Sequence, residues 1–377
     1  MRSTTQTDAT RAGVPGGSYR LGKGVAVTPR SLCVDLDTKV SFLRRPEVYP
    51  DRPARVDVVE THISWVFLTR RYAYKLKKPV RQPYLDFRTV DARHQDSLEE
   101  VRLNRRLAGN VYLGVVPLNA AAGELSLGGP GDTVDWLVHM RRLPARRMLD
   151  QRILRGTARS DDLRVIGECL ARFYRDAPAI AVDTEEHCAG FRDDIEENRS
   201  ELSAPHFGLP AARIDALCTR QRRLLAGLRP LLRERVQQGF VIEGHGDLRP
   251  EHVCLLPAPV IIDCLEFKRA FRILDAADEL GFLALECERL GAPWAGEILF
   301  GSYGYITGDR PPRVLVHFYE GFRALLRAKI AIWHNRDDGV RHEEKWLRRS
   351  LAYIELAERH AHLAEVVRSR GSRAETS

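Results

Sequence analysis

The sequence predicts a two-lobed α+β protein, a small strand-rich lobe followed by a larger helical one. Short β-branched and aromatic runs are confined to its first third. Helical periodicity takes over from residue 146. The length, 377 residues, exceeds what one compact core usually accommodates.

Taken in order, residues 1–30 are rich in Ser, Thr, Gly and Arg without periodicity and read as a disordered tail. Inside it "GSYRLGKG", Gly17 to Gly24, nearly matches a phosphate loop. Gly24 stands where a hydroxyl should hold the metal, and no buried strand precedes it. The strand-rich lobe is expected over 31–143. It opens with "VDVVET", "SWVFLT" and "YAYKLKK", which are short and separated by turns. "RHQDSLEEVRLNRRLAGN" places Leu98, Val101, Leu103 and Leu107 at helical spacing, and Gly109-Asn110 ends it. "YLGVVPLNAAAGELSLGG" and "TVDWLVHMRRLP" supply further strands, the last stopping at Pro144. The helical lobe is expected over 144–368, with helices at 146–156, 160–176, 190–202, 210–238, 274–289 and one long run from 313 to 368; residues 369–377 read as a tail.

Composition narrows the function classes. Hydrophobic residues make up 44% and charged residues 29%, the balance of a soluble globular chain. The longest apolar runs are too short for a membrane span, and the first residues lack the apolar core of a secretory signal. Seven cysteines, never paired as C-x-x-C, suit reduced thiols in a cytoplasm. The net charge of +8 is dispersed, with no basic run interleaved with aromatics, so nucleic acid ranks last as a partner. An anionic small molecule such as a nucleotide fits the same charge. Oligomeric state is unread.

"VIEGHGDLRPEHVCLLPAPVIIDCLEF", residues 241–267, concentrates the chemistry. Asp247 and Asp263 each adjoin a short apolar run, and Arg249 lies between them. Two strand-end carboxylates flanking a cation suit phosphoryl transfer, where a protein chiefly orients the attacking hydroxyl, holds a metal ion and neutralises charge.

"HGDLRPEH" resembles the catalytic loop of the protein-kinase-like superfamily, H-x-D-x-x-x-x-N, and "VIIDCLEF" resembles its metal-binding strand end. "ETHISWVFLTRRYAYKLKKP" followed by "EEVRLNRRLAGNVYLGVVPL" is similar to uncharacterised bacterial members of the aminoglycoside phosphotransferase-like branch. The resemblance covers residues 40 to 335. It implies a protein-kinase-like fold and a phosphotransferase that uses ATP and Mg2+, with Mn2+ as an alternative, on a small-molecule hydroxyl such as that of an aminoglycoside, sugar or amino-alcohol. Asp247 would be the catalytic base and Arg249 would stand in for a lysine contacting the γ-phosphate. Lys75 would contact the α- and β-phosphates, with Lys77 on the same strand face as its rival. Glu100 would pair with that lysine, with Glu99 as the alternative. Ser64 would lie in a loop covering the phosphates, Met140 to Leu143 would form the hinge that receives adenine, and Asp263 would bind the metal. Asp275 would brace the catalytic loop.

One position departs from the pattern. His252 stands where the family has the asparagine that is a second metal ligand, and imidazole suits softer metals than magnesium. Three readings follow: one well-held ion, ligation by His252 through water or with manganese, or a nucleotide-binding pseudokinase with a regulatory or scaffold role. Two further groups have both bland and functional readings. Asp193, Asp194, Glu196 and Glu197 form either a solvated helix face or a patch for a cationic acceptor. Tyr319, Arg323 and Arg327 either line an acceptor pocket or pack the last helices.

Overall fold

Alternation along "YAYKLK" sorts its side chains between two faces, and the small lobe is arranged around that sorting. The computed structural model describes residues 34–336 and 343–374, so residues 1–30 with their glycine motif lie outside the described residues. A short helix α1 (Leu36–Leu43) precedes strands β1 (Asp57–Glu60), β2 (Ser64–Leu68) and β3 (Tyr72–Lys77). The two-residue strands β4 (Arg81–Gln82) and β5 (Leu85–Asp86) lead into helix α2 (Val90–Ala108). Strands β6 (Tyr112–Ala121), β7 (Glu124–Leu127) and β8 (Asp132–Arg141) complete an antiparallel sheet in the order β1-β2-β3-β8-β6-β7. Tyr74 and Leu76 pack on one face with Val40 and Leu43 of α1. Ala73 packs on the other with Val101 of α2 and Met140. Lys75 and Lys77 are in phase with Ala73 and turn toward α2.

The larger lobe is built from α3 (Leu149–Leu154), α4 (Ser160–Asp176), α5 (Thr184–Leu202) and α6 (Ala211–Gln237). Four short strands follow: β9 (Val241–Glu243), β10 (Val253–Cys254), β11 (Val260–Ile261) and β12 (Ile273–Asp275). Helices α7 (Ala276–Arg289), α8 (Ala295–Thr307), α9 (Arg313–Trp333) and α10 (Glu343–Ala374) close the lobe. The single run expected over 313–368 is two helices packed through residues such as Leu325, Ala328, Tyr353 and Ala357, and the second continues to Ala374. Helix α8 has no counterpart among the expected elements. Its "AGEILFGSYGYIT" carries three glycines and no clean amphipathic stripe, which hides a helix from periodicity. It packs against α4 at close range: a Cβ on Gly167 would lie 2.8 Å from the Ser302 Cβ.

One polar knot sits beneath β9, the strand that leads to residues 245–252. Strand β12 pairs with β9, and Asp275 at its end caps α7 by accepting from the Ala277 N–H at 2.8 Å. Arg235 of α6 donates to both Asp275 oxygens at 2.8 and 2.7 Å, and to Asp309 at 2.6 Å. The Tyr319 hydroxyl donates to Asp275 at 3.0 Å, and that of Tyr303 to Asp309 at 2.6 Å. Arg235 and Asp275 are both buried, so each depends on the other for solvation. Among the described residues six cysteines are free thiols, and no helix is long and apolar enough to cross a membrane.

Candidate active site

The segment after β9 turns sharply, and its backbone explains the glycine in "HGD". Gly246 has φ +85°, and a Cβ there would lie 3.1 to 3.2 Å from Arg272, Leu265 and the Phe271 carbonyl. Glu279 of α7 accepts from the N–H groups of His245 and Gly246, both at 2.7 Å. Glu279 thus braces the loop directly, whereas Asp275 ties α6, α7 and α9 together. Arg106 of α2 donates to the carbonyls of Glu243 and Gly244 at 2.8 and 2.7 Å, joining the lobes behind the loop.

His245 has a structural role. It is 1% exposed, its Nε2 donates to the Ile262 carbonyl at 2.9 Å, and its Nδ1 accepts from the Asp247 N–H at 3.3 Å. A second ring proton would oppose that N–H. Burial, aided by neighbouring His252, pushes its pKa from 6.5 down to about 4. The unfolded chain takes up this proton near 6.5 and the folded chain only near 4, so stability falls as pH drops through that window. The expected loss is on the order of 3 kcal/mol. Urea midpoints measured from pH 7 to 4 check it, and His245→Gln should flatten that part of the profile.

Asp247 follows, with its Oδ2 accepting from Arg249 Nη2 at 2.9 Å. Burial raises the Asp247 carboxyl, but Arg249 and His252 outweigh it and hold the group below the usual carboxylate value. Arg249 also donates to Glu251 at 2.5 Å, while its Nε is buried with no hydrogen-bond partner among the described residues. Arg327 of α9 joins these groups at the cleft. Of the helical stripe considered above, only Arg327 reaches the cleft; Arg323 pairs with Asp278 at 2.7 and 2.5 Å, and Tyr319 with Asp275.

Asp263 follows β11 with φ 62°, a left-handed conformation uncommon outside glycine, asparagine and aspartate. Its N–H donates to the buried Tyr112 hydroxyl at 3.1 Å, and the next N–H, of Cys264, to Asn104 of α2 at 2.9 Å. Lys75 Nζ lies 2.9 Å from an Asp263 oxygen and 2.9 Å from Glu100. Burial raises the Asp263 carboxyl, and Lys75 more than reverses this, so the group stays ionised far below neutrality.

Glu100, and not Glu99, faces the two lysines, and it meets both. One of its oxygens meets Lys75, the other meets Lys77 at 2.7 Å. Lys77 is wholly buried among Glu100, Glu266 and Asp96, away from the cleft that Lys75 lines. Glu99 turns outward to Arg102 and Arg272. The buried face of α2 is therefore partly polar, with Ser97, Glu100 and Asn104 inward, while Leu98 of the expected apolar stripe is 44% exposed.

A cleft of about 1410 Å³ joins these groups. Its lining includes Lys75, Glu100, Met140, Leu143, Asp247, Arg249, His252 and Asp263. Val66, Ala73 and Ile262 add apolar walls near Met140 and Leu143. Ser64 is the exception. It begins β2 opposite Lys77 and is fully buried, so the expectation of a phosphate-covering loop residue is corrected. The residues that line the cleft there are Thr61, His62 and Ile63, which form the turn between β1 and β2. The acidic residues of 193–197 are absent from the lining, and Glu197 pairs with Lys329 at 3.0 Å. Glu279, Tyr112 and Asn104 escaped the sequence reading, because they act on backbone groups distant in the chain and carry no motif.

The donor set suits a divalent ion. His252 Nδ1 lies 2.8 Å from the Asp247 carbonyl, which fixes the proton there and leaves Nε2 as the acceptor. That Nε2 lies 3.4 Å from Asp263 Oδ2 and 3.1 Å from Arg249 Nη2. Adjacent ligands of one octahedral ion stand about 3 Å apart, so both can serve one centre. An oxygen with an imidazole nitrogen suits Mn2+ better than Mg2+.

No family model matches the chain. It is 32% identical over 280 residues to an uncharacterised protein of Mycobacterium tuberculosis, and equally so to one of Mycobacterium bovis, covering 73% of this chain and 54% of each of those proteins. The chain thus spans about half the length of the curated relatives it matches. Among solved structures, a choline/ethanolamine kinase family protein from Mesorhizobium loti superposes with a TM-score of 0.50 at 16% identity, over 87% of this chain and 99% of that one. An aminoglycoside phosphotransferase from Streptomyces rimosus matches more loosely, with a TM-score of 0.43 at 15% identity over 78% of this chain and 98% of that one.

Proposed function

We propose, for a chain that carries the protein-kinase-like fold, that the cleft transfers the terminal phosphoryl group of ATP to a small-molecule hydroxyl. One observation carries the reading. Lys75 of the sheet lobe meets both Glu100 and Asp263 at 2.9 Å, beside Asp247 of the helical lobe. ATP would lie between the lobes with adenine near Met140 and Leu143 and its phosphates toward Lys75. Asp263 and His252 would hold Mg2+ or Mn2+, which when bound neutralises charge on the phosphoryl oxygens. Asp247 accepts the hydrogen bond of the acceptor hydroxyl and sets its direction. Its lowered pKa suits orientation better than early removal of the proton. Arg249 and Lys75 offset the remaining charge, and the unpartnered Arg249 Nε offers a donor to an anionic oxygen.

Arg249 and Arg327 near Asp247, with the 193–197 carboxylates elsewhere, favour a neutral or acidic hydroxyl compound, such as a sugar or sugar acid, over a cationic aminoglycoside or amino-alcohol. The test is ATP turnover with Mg2+ and with Mn2+ against a panel of hydroxylated compounds of each charge class. ATP binding without turnover under either ion would favour the pseudokinase reading, whose motivating observation is His252 in place of asparagine. Absence of ATP binding would remove both. His252→Asn is expected to lower the ratio of Mn2+- to Mg2+-supported turnover several-fold, because an oxygen donor replaces nitrogen. An unchanged ratio would show that His252 does not touch the ion.

A further inference from the structure

Away from the cleft residues just described, α9 and α10 bring together three side chains that the phosphotransfer reading leaves unused. His317 and Glu320 lie three residues apart on one face of α9, and α10 lays His360 against them. The two histidine Nδ1 atoms are 3.2 Å apart. Glu320 Oε2 lies 3.0 Å from the first and 2.9 Å from the second. The three donors therefore form a nearly equilateral triangle. Ligands about 2 Å from one tetrahedral ion stand about 3.3 Å apart, so an ion just above this triangle meets all three at ordinary bond lengths.

Hydrogen bonding to Glu288 and Glu320 satisfies both nitrogens of His360 but leaves its contact with His317 crowded. If each histidine donates its Nδ1 proton to Glu320, the two Nδ1–H groups crowd each other at 3.2 Å. A second observation points the same way. On the opposite side of its ring, His360 Nε2 lies 3.0 Å from Glu288 Oε2, whose other oxygen accepts from Arg359 at 2.6 Å. A carboxylate behind the far nitrogen is how proteins orient metal-bound histidines. Glu320 and His360 are 6% and 3% exposed, so the donors are held in place by packing.

We propose that His317, Glu320 and His360 bind a divalent transition ion of the zinc class, with a fourth position open to water, and that this ion fastens α10 to α9. Two imidazoles and one carboxylate select zinc, cobalt or nickel over magnesium and calcium.

The full chain, stripped with chelator, is titrated with Zn2+ by calorimetry and with Co2+ by visible absorption. His252→Ala supplies the background, so that the cleft does not contribute a nitrogen donor. The expected result is one equivalent of Zn2+, a tetrahedral Co2+ band, and a higher melting temperature for the loaded chain. His317→Ala, at the least buried of the three positions, should abolish the band and weaken Zn2+ by more than about 100-fold while leaving circular dichroism unchanged. Glu288→Gln should retain the ion with an affinity lower by about 10–100-fold. Failure to bind Zn2+ in the His252→Ala background, or binding that survives His317→Ala at full affinity, overturns the proposal. If His317→Ala proves unfolded, Glu288→Gln decides: an unchanged affinity overturns it and a weakened one supports it.

Discussion

Asp247→Asn is expected to lower phosphotransfer turnover by about 10²–10⁴-fold while leaving ATP affinity within a few-fold. The substitution keeps the side chain's shape and its place beside Arg249, which retains Glu251 as a partner. It removes one charge and the strong acceptor needed to hold the attacking hydroxyl. Lys75, Glu100 and Asp263 are untouched, so the nucleotide side of the cleft should persist. The check is kcat on the best acceptor of the panel, with calorimetric ATP binding beside it. Equal turnover in the variant would move the base elsewhere, and parallel loss of ATP binding would make Asp247 a structural residue.

The second large effect is on stability. Arg235→Ala is expected to destabilise the fold by roughly 3–5 kcal/mol, the cost of leaving a buried charge without its partner. Arg235 serves Asp275 and Asp309 together, and both carboxylates are buried. Truncation also uncovers the Phe240 ring, over which the guanidinium sits at 3.8 Å. Tyr319 and Tyr303 would still donate to the two aspartates, which places the loss nearer the lower end of the range. Urea unfolding at neutral pH measures it. A loss below about 1 kcal/mol would mean that water enters and solvates the carboxylates.

Side chains that act near their own motif were legible in the sequence. Asp247, Arg249 and His252 sit within six residues, and strand alternation puts Lys75 and Lys77 on one face; the first three and Lys75 line one cleft. The choice between Glu99 and Glu100, and between Lys75 and Lys77, was not legible. Glu99 and Glu100 differ by rotation about α2, while Lys75 and Lys77 share one strand face and differ only in position along β3, so the packing of the other elements separates each pair. Ser64 failed for a related reason. As the first residue of "SWVFLT" it belongs to β2 itself, where pairing opposite Lys77 buries it, and a hydroxyl at a strand end reads equally well as loop. Glu279 was illegible because its work is done on two amide groups more than thirty residues earlier. Helix α8 was missed because its three glycines erase its periodicity, while the close approach to α4 is allowed by Gly167 on the other helix.

The left-handed backbone at Asp263 bears on how this position can change over generations. Most replacements there would bring a backbone penalty of about 1–2 kcal/mol in addition to losing the carboxylate. Asparagine and glycine avoid most of it. A lineage that abandoned the chemistry would thus drift along a narrow corridor of Asp, Asn and Gly at 263, filtered by shape alone. Asp247 has no such conformational filter. Retention of aspartate at 247 across descendants is therefore the more informative sign of selection for turnover.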